Sequence, residues 1–176
     1  MFRSRSVVSM FLVPAFLVPV FLLFAGVCSA QSSESASTES TATCYLDDGR
    51  QVYIRYNPVT AKSEKLSNGK PFLPGGTAMT LFTDAPLTFG GSTIPLGAYS
   101  VYPIPARDKW SLAINKNVTH GAAYDEKQDV ARSTIETDPV PAAADQLEVA
   151  FAHVGQKCTL RIYFGKVATF AEFVAK

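Results

Sequence analysis

Histidine is almost missing from this sequence. His120 and His153 are the only two in 176 residues, and Trp110 is the single tryptophan. Two imidazoles leave little material for a catalytic triad or a His-rich metal centre. No H-E-x-x-H, no G-x-S-x-G and no phosphate-cradling glycine loop opening a helix occurs either. Gly75-Gly76 and Gly90-Gly91 read as turns. The sequence therefore implies no metal and no cofactor, and it assigns no catalytic residue. Runs of one charge are missing too. The formal charge of the whole chain is +1, with no basic stripe and no interleaving of aromatic and basic residues, which excludes a surface built to neutralise a nucleic-acid backbone. Cysteine is scarce, with three residues and no C-x-x-C pair among them, which argues against a zinc or redox motif. Long helical periodicity and internal repeats are also absent.

One long hydrophobic run exists, and it stands at the start. Arg3 and Arg5 precede a nearly apolar stretch from Val7 to Gly26, and Cys28-Ser29-Ala30 puts small residues where a secretory leader is cut. Residues 1–30 are expected to be a signal peptide cleaved after Ala30, which places the mature protein in the periplasm or outside the cell, with no membrane span left. Two other readings of this segment are a lipoprotein acylated on Cys28 and an uncleaved anchor. Val27 stands where a lipidation motif wants a small residue, and Pro14 and Pro19 interrupt the anchor. Without Cys28, two cysteines remain, Cys44 and Cys158. In an oxidising compartment they are expected to form a disulfide, the alternative being two buried thiols.

Residues 31–43 are Ser, Thr, Glu and Ala with no large side chain to bury, so they are expected to be a disordered linker before a single domain over residues 44–176. That domain reads as strands. Val52, Ile54 and Tyr56 alternate with Tyr53 and Arg55 after an Asp-Asp-Gly turn; Met79 and Leu81 alternate with Thr80 and Phe82. Gly90-Gly91 supplies the positive φ angles of a tight hairpin between 87–89 and 92–94. The strongest hairpin joins 98–103 to 109–115, with Tyr99, Val101, Trp110, Leu112 and Ile114 on the core side. Residues 124–131 hold a possible helical turn, 132–137 a strand and the Pro- and Ala-rich 138–144 a loop. Strands follow at 146–153 and 157–164, and 166–174 reads as a further strand. Residues 57–76 form a connection of about twenty residues, long enough to suggest a lid or a loose crossing. The fold class is all-β, an antiparallel sandwich of about nine or ten short strands with little helix.

The runs P-L-G-A-Y-S-V-Y-P-I-P, D-K-W-S-L-A-I-N-K and A-A-Y-D-E-K-Q-D-V-A-R, between Pro95 and Arg132, resemble those of a family of secreted bacterial proteins known as domain of unknown function 2911 (DUF2911). The likeness extends roughly over residues 50–173. It implies an exported all-β domain and carries no established activity. Two stretches depart from the family's pattern. Members carry Trp-Arg followed by Gly-Ala-Asn-Glu where this chain has Phe72-Leu73-Pro74-Gly75-Gly76-Thr77, and Trp-Gly where it has His120-Gly121.

The densest polar stretch is 116–132, and the ligand-binding candidates are His120, Tyr124, Asp125, Asp129 and Arg132, with Tyr102 as an aromatic surface. Loops between sandwich strands carry such sites on a rigid scaffold; the plain alternative is a solvated loop around a capped turn. The function expected is a ligand-binding or structural module, its partner an unidentified small molecule or an envelope protein. The alternative is a small hydrolase or lyase in which His120 acts with Asp125 or Asp129, which requires His120 within hydrogen-bond reach of a carboxylate or of Tyr124. A protein partner would instead dock on an exposed apolar patch around Tyr102 and Ile104.

Overall fold

The computed structural model describes residues 39–176, so the leader, Cys28 and residues 31–38 lie outside the described residues. Ten strands follow in order: β1 (Ser40–Tyr45), β2 (Gln51–Tyr56), β3 (Met79–Thr83), β4 (Leu87–Phe89), β5 (Ser92–Ile94), β6 (Gly97–Ile104), β7 (Ser111–Asn115), β8 (Asp129–Thr134), β9 (Glu136–Val154) and β10 (Lys157–Ala175). They form two antiparallel sheets, ordered β1-β2-β3-β6-β7-β8 and β5-β4-β10-β9. This is the expected sandwich. Among the described residues no helix is long and apolar enough to cross a membrane.

Alternation decides which side chains meet between the sheets. Val52, Ile54, Met79, Leu81, Val101, Leu112 and Ile114 from the larger sheet face Leu87, Ile94, Leu147, Leu160 and Phe173 from the smaller, and all are essentially inaccessible. Each fully buried side chain of this size contributes roughly 1.5–3 kcal/mol from the hydrophobic effect. Trp110 precedes β7 and closes one end of this core at 7% exposure. Cys44 of β1 is bonded to Cys158 of β10, the two Cα atoms 6.1 Å apart, so the disulfide ties one sheet to the other. The β4–β5 turn presses on β8 at a second crossing: a Cβ on Gly90 would stand 2.4 Å from the Ser133 Cβ, and Gly90 has φ 54°. Only glycine fits there.

Several boundaries differ from those read in the sequence. β1 begins at Ser40, inside the stretch assigned to the linker, because Ser40 to Thr43 pair with Tyr56 to Tyr53 of β2. The turn expected at 124–131 shrinks to three residues, Glu126–Gln128, and β8 takes the residues after it. The loop expected at 138–144 is strand. Pro139 and Pro141 fall in β9, which runs 19 residues and pairs with an equally long β10. As the edge of its sheet, β9 can hold prolines that a central strand could not. These two strands are also far longer than the short ones expected. β10 continues through irregularities between Tyr163 and Val167 into the segment read as the last strand.

The long connection 57–76 is pinned rather than loose. Leu147 donates its N–H to Val59 and Ala61 donates to Asp145, while Gly69 and Phe72 donate to Pro105 and Pro103. Phe72 is buried, its ring 4.9 Å from that of Phe164. The apolar patch expected around Tyr102 and Ile104 is not exposed: with Ala113 they form a small second core, 2% and 5% accessible, covered by Leu73, Ala78 and Tyr124. Leu73 of the crossing and Tyr124 of the loop after β7 thus lie over the outer face of the larger sheet, while Val59, Ala61 and Phe72 pack against the core between the sheets.

Candidate functional site

A row of outward-facing residues crosses four strands of the larger sheet. Register places Arg55 of β2 beside Thr80 of β3, Thr80 beside Ser100 of β6, and Ser100 beside Asn115 of β7. At the β7 end the row enters a closed network. Asn115, 1% exposed, donates from Nδ2 to Asp129 Oδ1 at 2.8 Å and to the Asp125 carbonyl at 2.8 Å, and its Oδ1 accepts the Asn117 N–H. Tyr124 donates its hydroxyl to Asp129 Oδ2 at 2.6 Å, and its ring packs 4.7 Å from that of Tyr102. Burial, followed by the hydrogen bond to the Asp129 carboxylate, pushes the Tyr124 hydroxyl far above its ordinary value of 10.0. Asp125 accepts from the Lys127 N–H and from Gln128 Nε2, which caps the short turn. Arg132 pairs with Glu126. Both oxygens of each aspartate are therefore engaged in shaping the loop.

His120 lies elsewhere. It is exposed, and among the described residues it makes no side-chain hydrogen bond and no ion pair. The requirement for an imidazole bonded to a carboxylate or to Tyr124 is not met in this geometry. No group of three potential metal-ligating side chains occurs among the described residues.

What His120 does line is a groove of about 150 Å³ over β2, β3 and β6, bordered by Glu39, Arg55, Thr77, Thr80, Ser100 and the 118–122 loop. Its walls are hydroxyls and charges. Ser100 spends its proton on the Asn117 carbonyl at 2.8 Å. Thr77 accepts from Asn57 Nδ2 at 3.0 Å, which leaves its O–H free to donate. Arg55 lies with its Cζ 4.7 Å from the centre of the Phe82 ring, and Phe82 itself stacks on Tyr53 at 4.7 Å. Glu39 approaches Arg55 to 3.6 Å. One wall depends on a backbone turn, where Gly75 and Gly76 adopt φ 66° and 82° and the Gly75 N–H is held by Glu64 Oε1 at 3.0 Å. A larger recess of about 440 Å³ opens along the seam between Phe89, Ile135 and Phe170. None of the candidate residues reaches it.

The sequence-predicted residues thus divide. Tyr102, Tyr124, Asp125 and Asp129 come together in the network, Arg132 sits at its margin, and His120 stands in the groove, which Tyr102 also borders from beneath. Arg55, Glu39, Thr77 and Thr80 were not singled out from the sequence. Their signal was parity: Arg55 and Thr80 alternate against the core residues Ile54 and Leu81 and so share the outer face. The two stretches that depart from the pattern of the resembled family also meet here, since Gly76-Thr77 and His120-Gly121 line the same groove.

A family model described as a protein of unknown function, DUF2911, matches residues 37–172. No curated protein and no solved structure gives a significant match to the chain.

Proposed function

The chain belongs to the DUF2911 family, and we propose that it is an exported module that binds a small polar ligand in the groove over β2, β3 and β6. The observation that carries this reading is the convergence of Arg55, Thr77, Thr80 and His120 on one recess, with hydrogen-bond capacity that no described residue takes up. A rigid sheet supplies the floor and pinned loops supply the walls, the arrangement in which few polar groups fix a ligand's orientation. The disulfide and the sequence of residues 1–30 support an oxidising destination. The aspartates proposed from sequence belong, in this reading, to the support of the loop that carries His120.

A thermal-shift screen of the purified protein against sugars, small acids, metals and lipids tests the binding role, because a ligand that prefers the folded state raises the melting point by mass action. A shift that disappears in His120→Ala and Thr80→Val is the expected result. Shifts indifferent to both substitutions, or none across the panel, would overturn the groove as the site and turn the search to a protein partner in the envelope. Export has its own check: the amino terminus of the secreted protein should begin at Gln31, and material retained at Met1 in a membrane fraction would contradict cleavage.

A further inference from the structure

We infer that the groove takes a small organic acid whose carboxylate is held by Arg55, a statement that rests on the groove being the binding site. The donor and acceptor inventory leads to it. Among the described residues, Arg55 offers guanidinium N–H groups, Thr77 an O–H that no acceptor takes and His120 a ring without a hydrogen bond, and the one charged acceptor at the rim is Glu39. A ligand that brings acceptors suits such a set, and an ionised carboxylate is acceptor-only.

The posture of Arg55 adds geometry to the count. A guanidinium lying on an aromatic ring gives that ring its face and keeps its in-plane N–H fork for a second partner, and the fork matches two carboxylate oxygens. Phe82 holds the Arg55 Cζ over its ring, 4.7 Å from the centre, with Tyr53 stacked on Phe82 in turn. Glu39 is that second partner now, at 3.6 Å to a single nitrogen and with about half of each side chain exposed. A long, exposed pair of this kind is weak. Glu39 therefore occupies the position of the ligand's carboxylate without filling it well, and among the described residues it is the one ionic contact an incoming acid displaces. One cation among the described residues, weakly paired with Glu39, suits a monoanion better than a phosphate dianion. Thr80 neighbours Arg55 in register and Ser100 neighbours Thr80, so the body of the ligand lies along hydroxyls, which favours an acid that carries hydroxyl groups of its own.

Calorimetric titration of the whole protein with gluconate, glucose and inorganic phosphate tests the assignment. Gluconate should bind and glucose should bind at least tenfold more weakly, the carboxylate supplying the difference. Arg55→Gln should remove that preference, Arg55→Lys should restore only part of it because the fork is lost, and Glu39→Gln should tighten gluconate a few-fold. Circular dichroism on each variant separates loss of the site from loss of the fold. Glucose binding as well as gluconate, phosphate binding at least as tightly, or affinity unmoved by Arg55→Gln would overturn the carboxylate assignment; sensitivity to Thr80→Val and His120→Ala in the same experiment would leave the groove reading standing. Absence of gluconate binding overturns the inference, and it overturns the groove as well only when no ligand found by thermal shift responds to Thr80→Val or His120→Ala.

Discussion

Arg55 and Asn115 stand at opposite ends of one row across the larger sheet, and their surroundings differ in kind. Around Asn115 every strong acceptor is answered: Asp129 takes one bond from the amide and one from Tyr124, and Asp125 caps the turn that brings them together. Around Arg55 donors remain over, with a distant Glu39 as the only charged partner among the described residues. A closed network stabilises and positions, since a buried group without a partner costs free energy and one with its partners does not. An open cluster, held in place by the rigid sheet, has capacity left for something else. The difference teaches that the densest run of polar residues in a sequence can be the part that is used up in folding, while the available chemistry is assembled from positions far apart in the chain.

The comparison can be strained from several sides. The greatest loss should come from replacing Cys44 and Cys158 by Ala, which uncouples the sheets that carry both regions. The chain-entropy account of a loop of this length puts the cost at about 5 kcal/mol, and chemical denaturation would read it. An unchanged midpoint would deny the disulfide a stabilising role. Next, Asp129→Ala should cost about 2–3 kcal/mol, because it strands the Tyr124 hydroxyl and the Asn115 amide together. A neutral outcome in the same denaturation series would mean that the network is no more closed than the groove.

Tyr124→Phe removes one hydrogen bond and should cost about 1 kcal/mol at neutral pH. Its alkaline behaviour is more telling. The folded protein holds the Tyr124 proton above the ordinary value of 10.0, where the unfolded chain has already released it, so the associated stability is whole below that pH and declines as pH rises through and beyond it. Tyr99, raised by burial, acts with the same sign. Stability followed against pH should therefore fall less steeply above pH 10 in Tyr124→Phe than in the parent, and parallel curves would contradict the partly buried Tyr124–Asp129 bond. The smallest effects on stability belong to the open end: Thr80→Val and His120→Ala should stay within about 0.5 kcal/mol of the parent, although both should abolish ligand binding. A large loss of stability in either would place it among the structural residues.

Much of the fold was legible because strand period and turn chemistry act locally. The core side of the central hairpin, the Gly90-Gly91 turn and the pairing of Cys44 with Cys158 all follow from alternation, φ requirements and the two cysteines that stand after residue 30. Pro139 and Pro141 misled because their cost depends on whether a strand lies at an edge, which topology decides. Tyr102 and Ile104 misled for a related reason: alternation puts Tyr102 off the main core, and only the crossing of 57–76 and the Tyr124 ring bury it. The groove was the least legible part. Arg55, Thr80 and Ser100 become neighbours through the register of β2, β3 and β6, and Thr77 and His120 join them through loops whose courses depend on tertiary anchors. Of its lining, His120 and Tyr102 were visible in advance, grouped with aspartates that turn out to serve the other end of the row.

Amide chemical-shift mapping of the isotopically labelled protein during a gluconate titration tests the central distinction most directly. Perturbations concentrated at Arg55, Thr77, Thr80 and His120, with residues 125–129 little changed, are the predicted result. Changes centred on Asp125 and Asp129, or spread without a focus over both sheets, would contradict it.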